Sequence, residues 1–372
     1  MSSLRDEDDS SQCLKIRPLM SLSLGSVSIS QPVKNSDNSP GPHSIAISVV
    51  VPVRDEEGSI RALLDGLLGQ TLPPDEIVIT DGGSVDRTRA IIEEFIQRGA
   101  AVRLLTDRDS LPGRSRNIGV ANASNDWIAF IDAGITPAPN WLQALADKVI
   151  NQSDAEVVYG SYEPLTDSFF EECAAIAYIP PPTTTDEGPV RPYSIVSALM
   201  PKKAWEQAGG FPEHLRSAED LLFMNRVEAA GFRVVRAPRA VVHWSIQPGL
   251  WKTFRRFVVY ARNNIRAGLW RNWQAPILRR YAILFLFALP AIFVGARWLF
   301  VPLALWIGLL SARAIRALWQ NRDCYPAGLL RNCCRFIVIV PILATLDLAT
   351  FVGSALWIFR DFSRTNSHGA RK

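Results

Sequence analysis

"IAISVVVPVRDEEGSIRALLDGLLGQ", residues 45–70, carries two hydrophobic periods in succession. Residues 45–53 form a continuous apolar, β-branched run, the pattern of a strand buried on both faces. Ile60, Leu63, Leu64, Leu67 and Leu68 then recur at helical spacing. Between them stand Arg54, Asp55 and Glu56. A strand without a polar face, followed at once by an amphipathic helix, reads as the βα unit of a parallel sheet.

The alternation continues. "EIVIT" (76–80), "AVRLL" (101–105) and "WIAFI" (127–131) read as strands, with helices over 85–98 and 113–123. Right-handed crossovers bring such strands into one parallel sheet. Ligands then sit at the carboxyl ends of the strands, near a topological switch. Arg54-Asp55-Glu56, Asp81 and Asp132 fall at those ends. Residues 151–245 are less regular. Here "PPPTTTDEGP" (180–189) predicts a mobile loop and "IVSALM" (195–200) a strand. "AEDLLFMNRVEAAG" (218–231) predicts a helix whose first turn holds Glu219 and Asp220.

Apolar residues make up 48% of the 372, and they concentrate in 281–310 and 336–359. The second run suits one membrane span, with Asp347 inside it. The first is long for one span. Arg297 interrupts it after Pro290 and Gly295, so it reads as one tilted helix or a tight hairpin. Upstream, Trp251–Arg280 contains no Asp or Glu but Lys252, Arg255, Arg256, Arg262, Arg266, Arg271, Arg279 and Arg280. Over 252–270 the apolar Phe254, Phe257, Val258, Ala261, Ile265 and Leu269 recur at helical spacing. This is a basic amphipathic helix suited to a membrane surface, or a packed helix with a solvated basic face.

The expected organisation is a disordered tail (1–44), a catalytic domain (45–250), a basic interfacial segment (251–280), a transmembrane region (281–359) and a basic tail (360–372). Basic flanks favour the cytoplasm. They place the catalytic domain on the cytoplasmic side of the cell (inner) membrane, in a multi-pass protein of two or three spans. Segment 311–335 and the tail are also basic, so either count breaks the charge rule once. The net charge of +4 is too small to argue for a nucleic-acid partner. Five cysteines without a CxxC pair suit a reducing compartment and offer no zinc site. Neither a Walker A loop nor a GxGxxG fingerprint occurs.

Asp81-Gly82-Gly83-Ser84 is a tight strand-to-helix turn. It can cradle a ligand, and it is also ordinary turn chemistry. Its neighbours give it context. "VVVPVRDEE" (49–57), "VITDGGSVDRT" (78–88), "GRSRNIG" (113–119), "FIDAG" (130–134) and "AEDLLF" (218–223) occur in that order. Together they resemble the family-2 type of inverting nucleotide-sugar glycosyltransferases. That family shows a VPxYNE-like start, a DDGSxDxT turn, an ARNxG segment, a DxD and a late ED pair. The resemblance covers roughly 45–265. It implies a GT-A fold: a Rossmann-like, mostly parallel α/β sheet flanked by helices, here followed by C-terminal transmembrane helices.

By position, the resemblance implies that Asp55 and Asp81 hold the nucleotide base and ribose. Arg116 lies near the base or diphosphate, and Asp132 near the ribose and metal-diphosphate. Asp220 is the catalytic base, with Glu219 beside it. The partners implied are a nucleotide-sugar donor and an acceptor hydroxyl. A membrane anchor admits a lipid-linked or polysaccharide acceptor. The cofactor implied is a divalent cation, Mg²⁺ or Mn²⁺. Three positions depart from the family: Arg54-Asp55 replaces Tyr-Asn, Gly82 replaces an Asp, and Gly134 takes the third place of the DxD. The last removes the expected metal ligand, for which His243 is a candidate replacement. Two other readings stay open: a nucleotidyltransferase, which shares strand-end carboxylates, and a membrane-bound scaffold that binds a sugar nucleotide without turnover.

Overall fold

The leading apolar run forms β1 (Ile47–Val53), buried at every position except Pro52. A computed structural model describes residues 45–152 and 154–362; the expected tail 1–44 and residues 363–372 of the basic tail lie outside the described residues. From β1 the chain runs through α1 (Ile60–Leu68), β2 (Glu76–Asp81), α2 (Thr88–Gln97), β3 (Val102–Thr106), α3 (Pro112–Asn122) and β4 (Trp127–Phe130). It continues through β5 (Ile135–Pro137), α4 (Trp141–Asn151), β6 (Val157–Leu165), α5 (Phe169–Tyr178), β7 (Thr183–Thr185) and β8 (Gly188–Val190). Then come β9 (Ala198–Pro201), α6 (Lys202–Gln207), α7 (Glu219–Ala229) and β10 (Val234–Ser245).

One sheet takes the order β3-β2-β1-β4-β9-β6-β10-β5. β1 is parallel to β2 and β4, and β2 to β3, as the alternation requires. β9 lies antiparallel between β4 and β6, and β5 antiparallel to β10. The sheet is therefore mixed beyond β4, because a short apolar run gives no direction to its strand. Residues 180–189 correct the sequence reading. They do not form an open loop: β7 and β8 pair across Asp186-Glu187 as a two-residue hairpin.

Two apolar layers cover the sheet. Ile60, Leu63, Ile92, Phe95, Trp141 and Leu145 bring α1, α2 and α4 against one face. Val120, Ala204, Phe223 and Val227 bring α3, α6 and α7 against the other. A Cβ at Gly119 would stand 2.5 Å from a Val50 methyl, so only glycine lets α3 lie this close on β1. Arg116, one turn earlier on the same helix face, is thereby carried to the strand ends.

The C-terminal part is helical: α8 (Leu250–Arg266), α9 (Trp270–Leu286), α10 (Ala291–Val294), α11 (Phe300–Gln320) and α12 (Leu329–Leu356). Three stretches are long and apolar enough to cross a membrane: Trp270–Val294, Ala296–Gln320 and Leu329–Asp361. The run 281–310 resolves as a hairpin. Gly295 adopts φ 100°, Trp298 Nε1 donates to the Phe287 carbonyl (2.8 Å), and Trp306 Nε1 donates to the Tyr281 hydroxyl (3.0 Å) across its legs. The apolar stripe of α8 is spent largely on protein: Phe257 meets Tyr178 at 5.1 Å between rings, and Val258 and Ala261 lie against Gly353 of α12.

Candidate active site

β2, β1 and β4 are adjacent and parallel, so their carboxyl ends share one edge. Asp55, Glu56, Asp81 and Asp132 collect there, as the sequence predicts. Asp55 and Asp81 meet at one serine. Asp81 is fully buried and its Oδ1 accepts from the Ser84 hydroxyl (2.6 Å) and N–H (3.0 Å). The Asp55 N–H donates to Ser84 Oγ (2.9 Å), and Asp55 Oδ1 accepts from the Val85 N–H (2.9 Å). Asp55 is exposed and holds φ 54°, a left-handed conformation rare outside glycine, asparagine and aspartate. Asp81 thus builds the turn, and Asp55 faces solvent above it.

The second group is an ionic chain. Arg116 is 3% exposed; its guanidinium donates to Asp132 Oδ1 (2.6 Å) and to Glu219 Oε1 (2.8 Å). Its Cζ lies 5.4 Å from the centre of the Phe211 ring. Arg116 therefore joins the β4 edge to the start of α7. Burial alone would weaken its charge, but Asp132, Glu219 and Asp220 together hold it firmly protonated. Three carboxylates around one guanidinium leave the site with excess negative charge.

Glu219 and Asp220 differ despite adjacency. Glu219 is 4% exposed and its Oε2 has no hydrogen-bond partner among the described residues. Burial pushes its carboxyl up to about 6, against the pull of Arg116. Asp220 is half-buried, with Oδ1 accepting from the Leu221 N–H (2.8 Å). Burial raises its carboxyl too, again opposed by Arg116. Glu219 is tied to Arg116, whereas the side-chain hydrogen bond of Asp220 goes to the backbone next to it. Ala218, just before them, is held at φ 69°, an uncommon conformation for alanine. The preceding Arg216 N–H donates to Asn263 Oδ1 of α8 (3.3 Å), so α8 braces the loop that aims α7.

His243 lies on β10, the strand that pairs with β5 just after Asp132. It pairs in register with Thr136 and Glu163. Among the described residues no three His, Cys, Asp or Glu side chains gather as a metal cage. Gly134 offers something the sequence did not. A Cβ built there would meet the Glu56 carboxylate oxygens at 3.7 and 3.9 Å. A carboxylate from the loop after β1 thus stands beside the position that lacks its own. Sequence reading also missed Tyr260 of α8. Burial raises its hydroxyl, and the charges of Asp220 and Asp132 push the same way while Arg256 opposes them. α8 therefore forms part of the wall of the site.

The sheet, its strand-end carboxylates and the acidic start of α7 have the layout of a GT-A fold. Residues 48–190 match the model of Glycosyl transferase family 2. The matched range includes Asp55, Asp81, Arg116 and Asp132 and stops before Glu219 and Asp220. The chain is 26% identical over 248 residues to a pre-mycofactocin glycosyltransferase of Mycobacterium tuberculosis, covering 62% of this chain and 49% of the other. It is 26% identical over 198 residues to glycosyltransferase AglE of Haloferax volcanii, covering 51% and 64%. The chain spans about half the length of the mycobacterial relative. Among solved structures, mannosyltransferase PcManGT from Pyrobaculum calidifontis, in complex with GDP-Man and Mn²⁺, aligns over 84% of this chain and 91% of its own, at 18% identity and a TM-score of 0.49.

Proposed function

We propose that this protein is a membrane-anchored inverting glycosyltransferase, moving a sugar from a nucleotide-sugar donor to an acceptor hydroxyl. The observation that carries the reading is Asp220: a raised, half-buried carboxylate at the start of α7, beside the Asp132–Arg116–Glu219 chain. A sugar hydroxyl is a poor nucleophile. Asp220 takes its proton as it attacks the anomeric carbon opposite the leaving diphosphate. That single displacement inverts the anomeric centre. Asp55 and the turn around Ser84 receive the nucleoside. The basic α8 and its place in the site wall favour an acceptor delivered at the membrane, on the cytoplasmic face.

The donor set fits a divalent cation. Hard oxygens suit Mg²⁺ or Mn²⁺, which take one or two carboxylates from protein and the rest from phosphate and water. Asp132, with Glu56 beside the open Gly134 position, would hold it. A bound cation supplies charge to stabilise the departing diphosphate. Glu56→Gln is expected to weaken Mn²⁺ binding to the protein–nucleoside diphosphate complex by about 10-fold or more, the scale seen even for outer-shell losses. Glu56→Ala with Gly134→Asp recovers most of it. Mn²⁺ titration by electron paramagnetic resonance reads both variants, and an unchanged affinity in Glu56→Gln counts against this ligand.

Incubating the detergent-solubilised protein with UDP-, GDP- and TDP-sugars and candidate acceptors tests the whole reading. Acceptor-dependent release of nucleoside diphosphate is expected. Release of pyrophosphate from nucleotide and sugar phosphate would instead identify a nucleotidyltransferase. Binding without release would leave a scaffold.

A further inference from the structure

We infer that α12 does not cross the membrane but lies in its surface, clamped along the catalytic domain, so that only the α9–α11 hairpin enters the bilayer. Every polar anchor of α12 points the same way. At its start, Arg331 and Arg335 both pair with Glu172 of α5; Arg335 and Glu172 are 3% and 8% exposed. At its far end, a Cβ on Gly353 would stand 2.6 Å from the Val258 carbonyl oxygen and 2.7 Å from Ala261 Cβ, so α8 and α12 cross backbone to backbone. Just beyond, Arg262 of α8 grips Asp361 with two hydrogen bonds, 2.7 and 2.6 Å. Between these ends, Ile339, Ile342 and Leu343 share one buried cluster with Cys173 and Ile176 of α5 and Ile246.

A helix of 28 residues is about 42 Å long. If α12 spanned the bilayer, its ends would stand on opposite faces of a hydrocarbon core roughly 30 Å thick. α5 and α8 would have to stand there with them. They cannot: Tyr178 and Phe257 hold them together, and α8 carries Lys252, Arg255, Arg256, Arg262 and Arg266. Both ends of α12 therefore share one face with the catalytic domain.

The buried carboxylate of α12 supports the same geometry. Asp347 Oδ2 accepts from Arg313 Nη1 (2.6 Å) and from the Tyr281 hydroxyl (3.0 Å). Tyr281 opens the first charge-free leg of the hairpin and Arg313 closes the second. Asp347 thus fastens the mouth of the hairpin to α12, at the level where the chain enters and leaves lipid. A carboxylate that is costly at mid-bilayer stands instead where water and headgroups begin. The outer face of α12 presents Leu329, Leu330, Ile337 and Leu348, and the turn after it Ile358 and Phe359, each more than half exposed. That face suits the acyl–headgroup boundary, the occupant to which the geometry commits it.

Charge agrees. Two simple spans place the basic 311–335 outside, and three spans place the basic C-terminal segment outside. With a hairpin and an in-plane α12, the basic segments 252–280, 311–335 and 360–372 are all assigned to the domain's own face, which leaves Arg297 at the hairpin tip as the one basic residue across.

Membrane-impermeant maleimide on intact cells tests this topology, independently of any transfer reaction. The readouts are the exposed Cys333 and Cys334 and, in a second variant, Ser367→Cys. Both positions are expected to label only after permeabilisation. Labelling of Ser367→Cys from outside would mean that α12 crosses and would overturn the inference. Labelling of Cys333 or Cys334 from outside would overturn it equally, by placing the start of α12 on the far face.

Discussion

Asp220→Asn loses sugar transfer and keeps nucleotide-sugar binding. The substitution preserves shape and leaves the Leu221 N–H its acceptor. Only the ability to take a proton disappears. A positioned general base contributes about 10²–10⁴ in rate, and the whole of that factor falls on kcat. Donor affinity by titration stays near wild type, because Asp220 acts in the transition state rather than in the ground state. The wild-type pH profile reports the same group. A base works unprotonated, and burial raises this carboxyl, so kcat declines as pH falls through a value above the ordinary aspartate range. Glu219→Gln tests the contrast: it loosens Arg116 and lowers activity less. Near-wild-type turnover in Asp220→Asn would remove Asp220 from the chemistry.

The sequence made the first half of the fold legible because β1, β2, β3 and β4 are buried on one parallel sheet, where apolar runs and helical spacing are unmistakable. Asp55, Asp81 and Asp132 followed, since a strand end is a place one can count to. Beyond residue 131 that logic weakened. β5 and β7 are three residues long, too short for a period. The direction of β9 is set by its neighbours across the sheet, not by its own residues. The placement of Arg116 was half legible. "SRNIG" marks it as a site residue, but its partner Glu219 lies 103 positions away. Glu56 stood in plain view within "VRDEE", yet its approach to Gly134 is a property of two loops at once. Hydropathy gave α12 the character of a span. Its ion pairs to Glu172, and that of Asp361 just beyond it with Arg262, are tertiary facts, and no window average contains them.

Arg116→Ala destabilises the folded protein strongly, because it strips a buried charge of its partner. The size follows from what each carboxylate can do afterwards. Asp132 has a side chain 37% exposed, and water takes over its solvation. Glu219 has a side chain 5% exposed and one oxygen already without a partner. Breaking a buried pair in this way costs about 3–5 kcal/mol, and nearly all of it falls on Glu219. The pH dependence has a definite sign. The Glu219 carboxyl sits at about 6 in the folded protein against an ordinary value of 4.5, and it rises further without Arg116. The folded state then holds the proton more tightly than the unfolded one, so this group's contribution falls as pH rises from 4.5 through the folded value. The melting temperature of Arg116→Ala therefore drops more at pH 8 than at pH 5. Removing both ends of the pair separates stability from function. Arg116→Met with Glu219→Leu fills the space with apolar atoms and recovers most of the melting temperature, as replaced buried pairs commonly do. Donor affinity does not recover, since Asp132 has lost the guanidinium that orients it. A melting temperature unchanged in Arg116→Ala at both pH values would show that the ionic chain does not hold α7 to the sheet, and restored donor binding in the double variant would free Asp132 from its dependence on Arg116.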